Sequence, residues 1–118
     1  MTSEHQRRGA LEAIDRVLNR SGDADDVLRD VVWILFELYA YAAIDFVERQ
    51  GRVAGPSLGE RPSNATRLPV MFEGAHVAEL VVAWPHPEED GAFLERVALL
   101  ISAHCLVAWD TGGERWEP

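Results

Sequence analysis

The chain has 118 residues, one free cysteine and 47% apolar residues, enough for one domain with its own core and too apolar for a disordered segment. Its formal charge is −9 and arginine supplies every strong base, so neither counterion release from nucleic acid nor attraction to an anionic membrane favours it. No apolar run reaches the roughly eighteen residues of a membrane span; Val97 to Trp109 comes nearest, interrupted by Ser102 and His104. The N-terminus shows no apolar signal core, and Cys105 has no internal partner, so the expected compartment is the cytoplasm.

A first helix is predicted over about Gln6 to Arg20. Ala10, Leu11, Ala13, Ile14, Val17 and Leu18 share one side, and Glu12, Asp15, Arg16, Asn19 and Arg20 the other. Ser21-Gly22-Asp23 breaks the helix, with Gly22 suited to a left-handed C-terminal turn. Asp23 or Asp25 caps a second helix that carries Val27, Leu28, Val31, Val32, Leu35, Phe36 and Tyr39. Trp33, Ile34 and Leu38 widen its apolar arc, so burial on more than one side is expected.

From Ala42 the period changes to that of strands. "AAIDFVERQGRVAG" reads as a hairpin turning at Gln50-Gly51. "GPSLGERPSNAT", residues 55–66, has no hydrophobic period and reads as a connector. "TRLPVMF" and "HVAELVVAW" form a second hairpin around Glu73-Gly74, with Pro69 placed at a strand start or sheet edge. Ala78, Leu80, Val82 and Trp84 share one face of the last strand and Val77, Glu79, Val81 and Ala83 the other. Both faces are largely apolar, so that strand is expected to be central and covered on both sides.

"PHPEED" starts the closing helix, its acidic residues complementing the helix dipole. That helix is predicted from about Glu88 to Trp109. Phe93, Leu94, Val97, Leu100, Ile101, Cys105 and Ala108 form a broad arc, and Leu99, Ala103 and Leu106 lie outside it, so the helix needs a neighbour besides the sheet. That neighbour is the first helix, a partner chain, or both. The order helix, helix, hairpin, hairpin, long helix is an α+β pattern: an antiparallel sheet of four to six strands with helices packed on one face. The domain core is expected over about residues 9–109, with 110–118 a flexible tail.

This arrangement resembles a GAF domain, the sensor and dimerisation module of many signalling proteins. The resemblance rests on the paired N-terminal helices, "AAIDFVERQGRVAG", and "RLPVMFEGAHVAELVVAW" followed by an acidic turn and "FLERVALLISAHCLVA". PAS domains share the sheet-and-helix plan, but the long closing helix favours GAF. The resemblance implies a regulatory module that homodimerises through its first and last helices and binds a small ligand or a signalling partner. It departs in the short stretch 55–66, where many members carry extra elements that roof a pocket, and around Ala78-Glu79-Leu80, where a glycine is usual. Both departures argue against a cyclic nucleotide.

No cofactor is implied. His76, His86 and His104 lack metal spacing, and adjacent His104 and Cys105 on a helix do not face each other. A cycle like that of the GAF-like free methionine sulfoxide reductases uses several cysteines, and Cys105 alone needs an external thiol to close it. Asn64-Ala65-Thr66 matches a glycosylation sequon without other signs of secretion. Of the aromatic residues Trp33, Tyr39, Tyr41, Phe46, Phe72 and Trp84, Phe46 and Phe72 are expected, with Met71, to line a pocket beneath the connector. Arg61 and Arg67 then reach an anionic group. The expected dimer residues are Leu11, Ile14, Leu18, Leu99 and Leu106, each leucine worth on the order of 1.5–3 kcal/mol on burial.

Overall fold

The computed structural model of the chain describes residues 4–20, 23–48 and 51–112, with residue 87 and residues 106–112 as backbone alone. The elements run α1 (Glu4–Leu18), α2 (Ala24–Tyr39), β1 (Tyr41–Glu48), β2 (Gly51–Gly59), β3 (Thr66–Phe72), β4 (Ala75–Val82) and α3 (Pro87–Gly112). The strands make one antiparallel sheet in the order β2-β1-β4-β3, so the two strands richest in apolar residues are central. This is the α+β plan the sequence predicts. The helix break at Gly22, the turn residue Gln50 and the tail beyond residue 112 lie outside the described residues; 110–112 continue α3.

Alternation along the strands divides the sheet into two faces. Ala42, Ile44 and Phe46 of β1, Val70 of β3, and Ala78, Leu80 and Val82 of β4 turn toward the helices and are fully buried or nearly so. α2 covers β1 and β2, and α3 covers β3 and β4. α1 packs on α2 and α3 rather than on the sheet, sealing the side of the helices away from it. Ala10 and Ile14 are its buried residues, so Ile14 belongs to the protomer's own core and drops out of the expected dimer surface.

Asp23 takes the extended N-cap conformation of α2 but makes no side-chain cap bond. α2 stops at Ala40, a left-handed residue (φ 64°) whose N–H donates to the Phe36 carbonyl, and the chain enters β1 directly. The Glu73-Gly74 turn has positive φ at both residues, 50° and 84°, the geometry a two-residue hairpin uses to match strand twist. Pro69 lies on edge strand β3, the place in a sheet where a missing N–H is tolerated.

The sequence misreads residues 55–59. They extend β2 rather than forming a connector, which shrinks to residues 60–65. A bulge permits this: Ala43 pairs with Ser57 and Asp45 with Ala54, leaving Gly55 and Pro56 opposite Ile44. Pro56 fits because an edge strand at a bulge needs no donor from it.

Candidate functional site

The outer face of the sheet, opposite the helices, carries the unexpected chemistry. Its central part is small and apolar: Tyr41, Ala43, Val81 and Ala83 are buried, with Ala65 packed against them. Beside this floor stand two acidic side chains in largely apolar strands, Asp45 of β1 and Glu79 of β4. They are directly paired across the strands and only 5% and 7% exposed. Like charges so placed repel, and burial removes the water that would screen them, so the fold requires cations here.

Three arginines meet that need from three segments. Arg67 of β3 bridges the carboxylates, its Nη1 donating to Asp45 Oδ2 at 3.0 Å and to Glu79 Oε1 at 3.1 Å. Arg52 of β2 donates from Nε and Nη2 to the two Glu79 oxygens, at 2.5 and 3.2 Å. Arg61, from the 60–65 connector, donates from Nη2 to both Asp45 oxygens, at 3.1 and 3.2 Å, and from Nε to the Tyr41 hydroxyl at 2.5 Å. Its Cζ lies 5.5 Å from the Tyr41 ring centroid, within cation–π range. His76 Nε2 stands 3.8 Å from Glu79.

The electrostatics follow from these contacts. Hydrogen bonds from Arg52, then its charge and the bonds of Arg67, hold the Glu79 carboxyl below the usual glutamate range against the opposing effect of burial. Bonds to Glu79 raise Arg52, and bonds to Asp45 raise Arg61. The arrangement fixes charge rather than moving protons. Among the described residues no three His, Cys, Asp or Glu side chains gather as a metal site.

The residues expected to form one pocket are divided between places. Arg61 and Arg67 share the outer face, but their guanidinium groups are held by Asp45 and Glu79 and do not stand free for an anion. Phe46 lies on the opposite face, 0% exposed in the core, and cannot line a surface pocket. Phe72 packs half-buried against the same core. Met71 is exposed and borders a shallow cavity of about 360 Å³ between β3 and α3, with Leu68, Pro69, Glu95, Ala98 and Leu99. Sequence reading did not pick out Arg52, Asp45 or Glu79, and it counted Tyr41 only among the aromatic residues. The available signal was an acid set among the apolar residues of each central strand, Asp45 in β1 and Glu79 in β4.

At the helical surface Leu99 is 68% exposed, whereas Leu11, Leu18 and Leu100 are half-buried. Leu11, Glu12 and Asp15 of α1 face Arg96 and Leu100 of α3 across a shallow groove. The side chain of Leu106 lies outside the described residues. Cys105 is fully buried, and burial pushes its thiol up to about 12. Burial also lowers the His104 pKa. Trp84 is 68% exposed at a positive φ of 44°, and its indole N–H donates to Asn64 Oδ1 at 3.1 Å, tying the connector to the end of β4. No helix among the described residues is long and apolar enough to cross a membrane.

No family model matches the sequence, and no curated protein matches it. The fold does have a solved counterpart: the chain is similar to the GAF domain from Acinetobacter phosphoenolpyruvate-protein phosphotransferase. The two superpose with a TM-score of 0.70 at 16% identity, over 95% of this chain and 99% of that one. The chain therefore has a GAF-like fold.

Proposed function

We propose that this GAF-like chain is a regulatory module that binds a small ligand on the outer face of its sheet and homodimerises through α1 and α3, without catalysis. The observation that carries the ligand half is the outer face itself. Two acids buried on central strands, a tyrosine and a floor of small residues are held in fixed positions with no helix laid over them. Fixed polar groups beside an apolar floor are what small-ligand recognition uses.

Support for the dimer half comes from the α1–α3 surface. Leu11, Leu18 and Leu99 offer apolar area, and Arg96 beside Glu12 and Asp15 offers charges of both signs, which a twofold contact can cross-pair. Leu106 completes the expected set, while Ile14 is already used inside the protomer.

An enzyme using Cys105 is the weaker reading. A fully buried thiol raised to about 12 supplies almost no thiolate at neutral pH, and thiolate is the attacking species. The test has two parts. Light scattering at tens of micromolar should give twice the protomer mass, and a monomer removes the dimer half. Thermal-shift screening against small metabolites should find a class that raises the melting temperature, because a ligand bound only by the native state stabilises it. A screen with no such class leaves a ligand-free interaction domain instead.

A further inference from the structure

The rigid and movable parts of the outer face are distributed unequally. Asp45 and Glu79 sit on the two central strands, buried to 5% and 7% exposure. The arginines come from outside: Arg52 and Arg67 from the edge strands, and Arg61 from the connector 60–65. Arg61 alone of the three is in no strand, so it can withdraw without breaking a ladder bond. Without Arg61 the corner keeps Tyr41 and the Asp45 carboxylate, whose Oδ2 still accepts from Arg67 at 3.0 Å, and the removable group is a guanidinium.

The way Arg61 is held is recognition of a planar fork. One nitrogen meets both oxygens of Asp45, Nε meets the Tyr41 hydroxyl, and the ring of Tyr41 lies within cation–π distance of Cζ. An ammonium is a compact point charge and does not satisfy these directions together. Ala43, Val81 and Ala83 beside Tyr41 are 0–3% exposed with Ala65 of the connector packed against them, so withdrawal of the connector would uncover apolar surface for an aliphatic stem. The charge of −9 also concentrates cations rather than anions around the molecule.

We propose that the Tyr41–Asp45 corner is a guanidinium receptor whose resident occupant is Arg61 of the chain's own connector, and that the ligand sensed here carries an alkylguanidinium group that displaces it. Withdrawal of Arg61 frees the connector, whose Asn64 is bonded to Trp84 just before α3. Occupancy at the sheet is thereby linked to the segment that leads into the helix expected at the dimer surface. This deepens the ligand half of the function proposed above and rests on it. Its test does not require dimerisation, which light scattering reads separately.

The experiment compares wild type with Arg61→Ala, using N-ethylguanidinium as probe and propylammonium, acetate and inorganic phosphate at equal ionic strength as controls, all below denaturing concentration. The variant should melt lower than wild type, and N-ethylguanidinium should restore it while the three controls do not. The probe should bind the variant measurably more tightly than wild type, because wild type carries an in-chain competitor at an effective concentration on the order of millimolar. In wild type, titration should shift the NMR signals of the Arg61 Nε–H and the Tyr41 ring saturably and leave the Arg52 Nε–H in place. This arm decides the matter if Arg61→Ala does not fold. Restoration by propylammonium as well, stabilisation by acetate or phosphate instead, or no saturable shift in wild type overturns the proposal. If other metabolites raise the melting temperature while the guanidinium probe fails, the sensor reading stands without this one.

Discussion

Gly55 lies against Phe46: a Cβ on Gly55 would stand 2.6 Å from Phe46 Cε2 and 2.5 Å from the Ile44 carbonyl oxygen. The contact ties the bulge in β2 to the centre of the core, because Phe46 is 0% exposed and cannot retreat. Gly55→Ala should therefore cost about 1–3 kcal/mol, the usual range for overpacking. Gly91 in α3 has nothing within 4 Å of its Cβ position. Gly91→Ala should be neutral or gain up to about 1 kcal/mol from helix propensity. Urea midpoints at constant m-value check both, and equal midpoints for the two variants would contradict the packing argument.

Glu79 makes the fold sensitive to acid. Its carboxyl is held below the ordinary glutamate value of 4.5 in the folded state, chiefly by bonds from Arg52. The unfolded chain therefore takes up this proton first as pH falls. The stabilisation is complete above the ordinary value and is lost as pH drops through it toward the lower folded value. Glu79→Gln should be less stable than wild type at neutral pH and lose less stability on acidification. Parallel stability–pH curves for the two proteins would show that Glu79 does not supply the acid sensitivity.

The contrast between what periodicity reveals and what pairing reveals is clearest at these residues. The helices and the Glu73-Gly74 hairpin follow from local spacing, and so does the central position of β4. Residues 55–59 do not, because Gly, Pro and Ser are poor strand formers, and only the bulge opposite Ile44 admits them. The outer-face array was half legible. Arg61 and Arg67 stood out as cations near a connector, but the acids that hold them become neighbours only through the Asp45–Glu79 register. Ile14 and Phe46 matched their patterns equally well as surface or core residues, and packing of α1 on the other helices and of Phe46 beneath the sheet decided both.

Cys105 should behave as an inert core residue. It is 0% exposed and its thiol is raised to about 12, so an aromatic disulfide reagent at mildly alkaline pH should leave the native protein unlabelled. Labelling should appear only on addition of denaturant, at the unfolding midpoint. Rapid labelling of the folded chain would revive a redox role for the residue.

Asp90 does more than complement the α3 dipole. It is 3% exposed, accepts a hydrogen bond from the His86 backbone N–H at 2.6 Å, and pairs with Arg7 of α1 at 3.2 Å. Burial, and then this carboxylate beside it, raise the pKa of the Tyr39 phenol at the end of α2. One acid thus joins the ends of all three helices. Asp90→Ala removes the bonds this carboxylate accepts from Arg7 and from the His86 N–H, and should cost about 1.5–3 kcal/mol. Chemical denaturation measures this; a loss below 1 kcal/mol would assign Asp90 only the role of a surface helix charge.

The dimer surface is best tested where folding is not at risk. Leu99 is 68% exposed, so Leu99→Asp removes little core contact and should cost the protomer no more than about 1 kcal/mol, from helix propensity and the like charge of Glu95 one turn earlier. If α1 and α3 form the interface, the same change buries a carboxylate against leucines and should convert the dimer to monomer in sedimentation runs at tens of micromolar. Ile14→Asp provides the contrast. Ile14 is 0% exposed, so that variant should unfold rather than merely dissociate. Arg96→Glu should weaken association, and pairing it with a Glu12→Arg and Asp15→Arg double change should restore it, since cross-paired charges regain their partners when both signs are exchanged. A Leu99→Asp protein that remains dimeric would move the interface away from this face of α3.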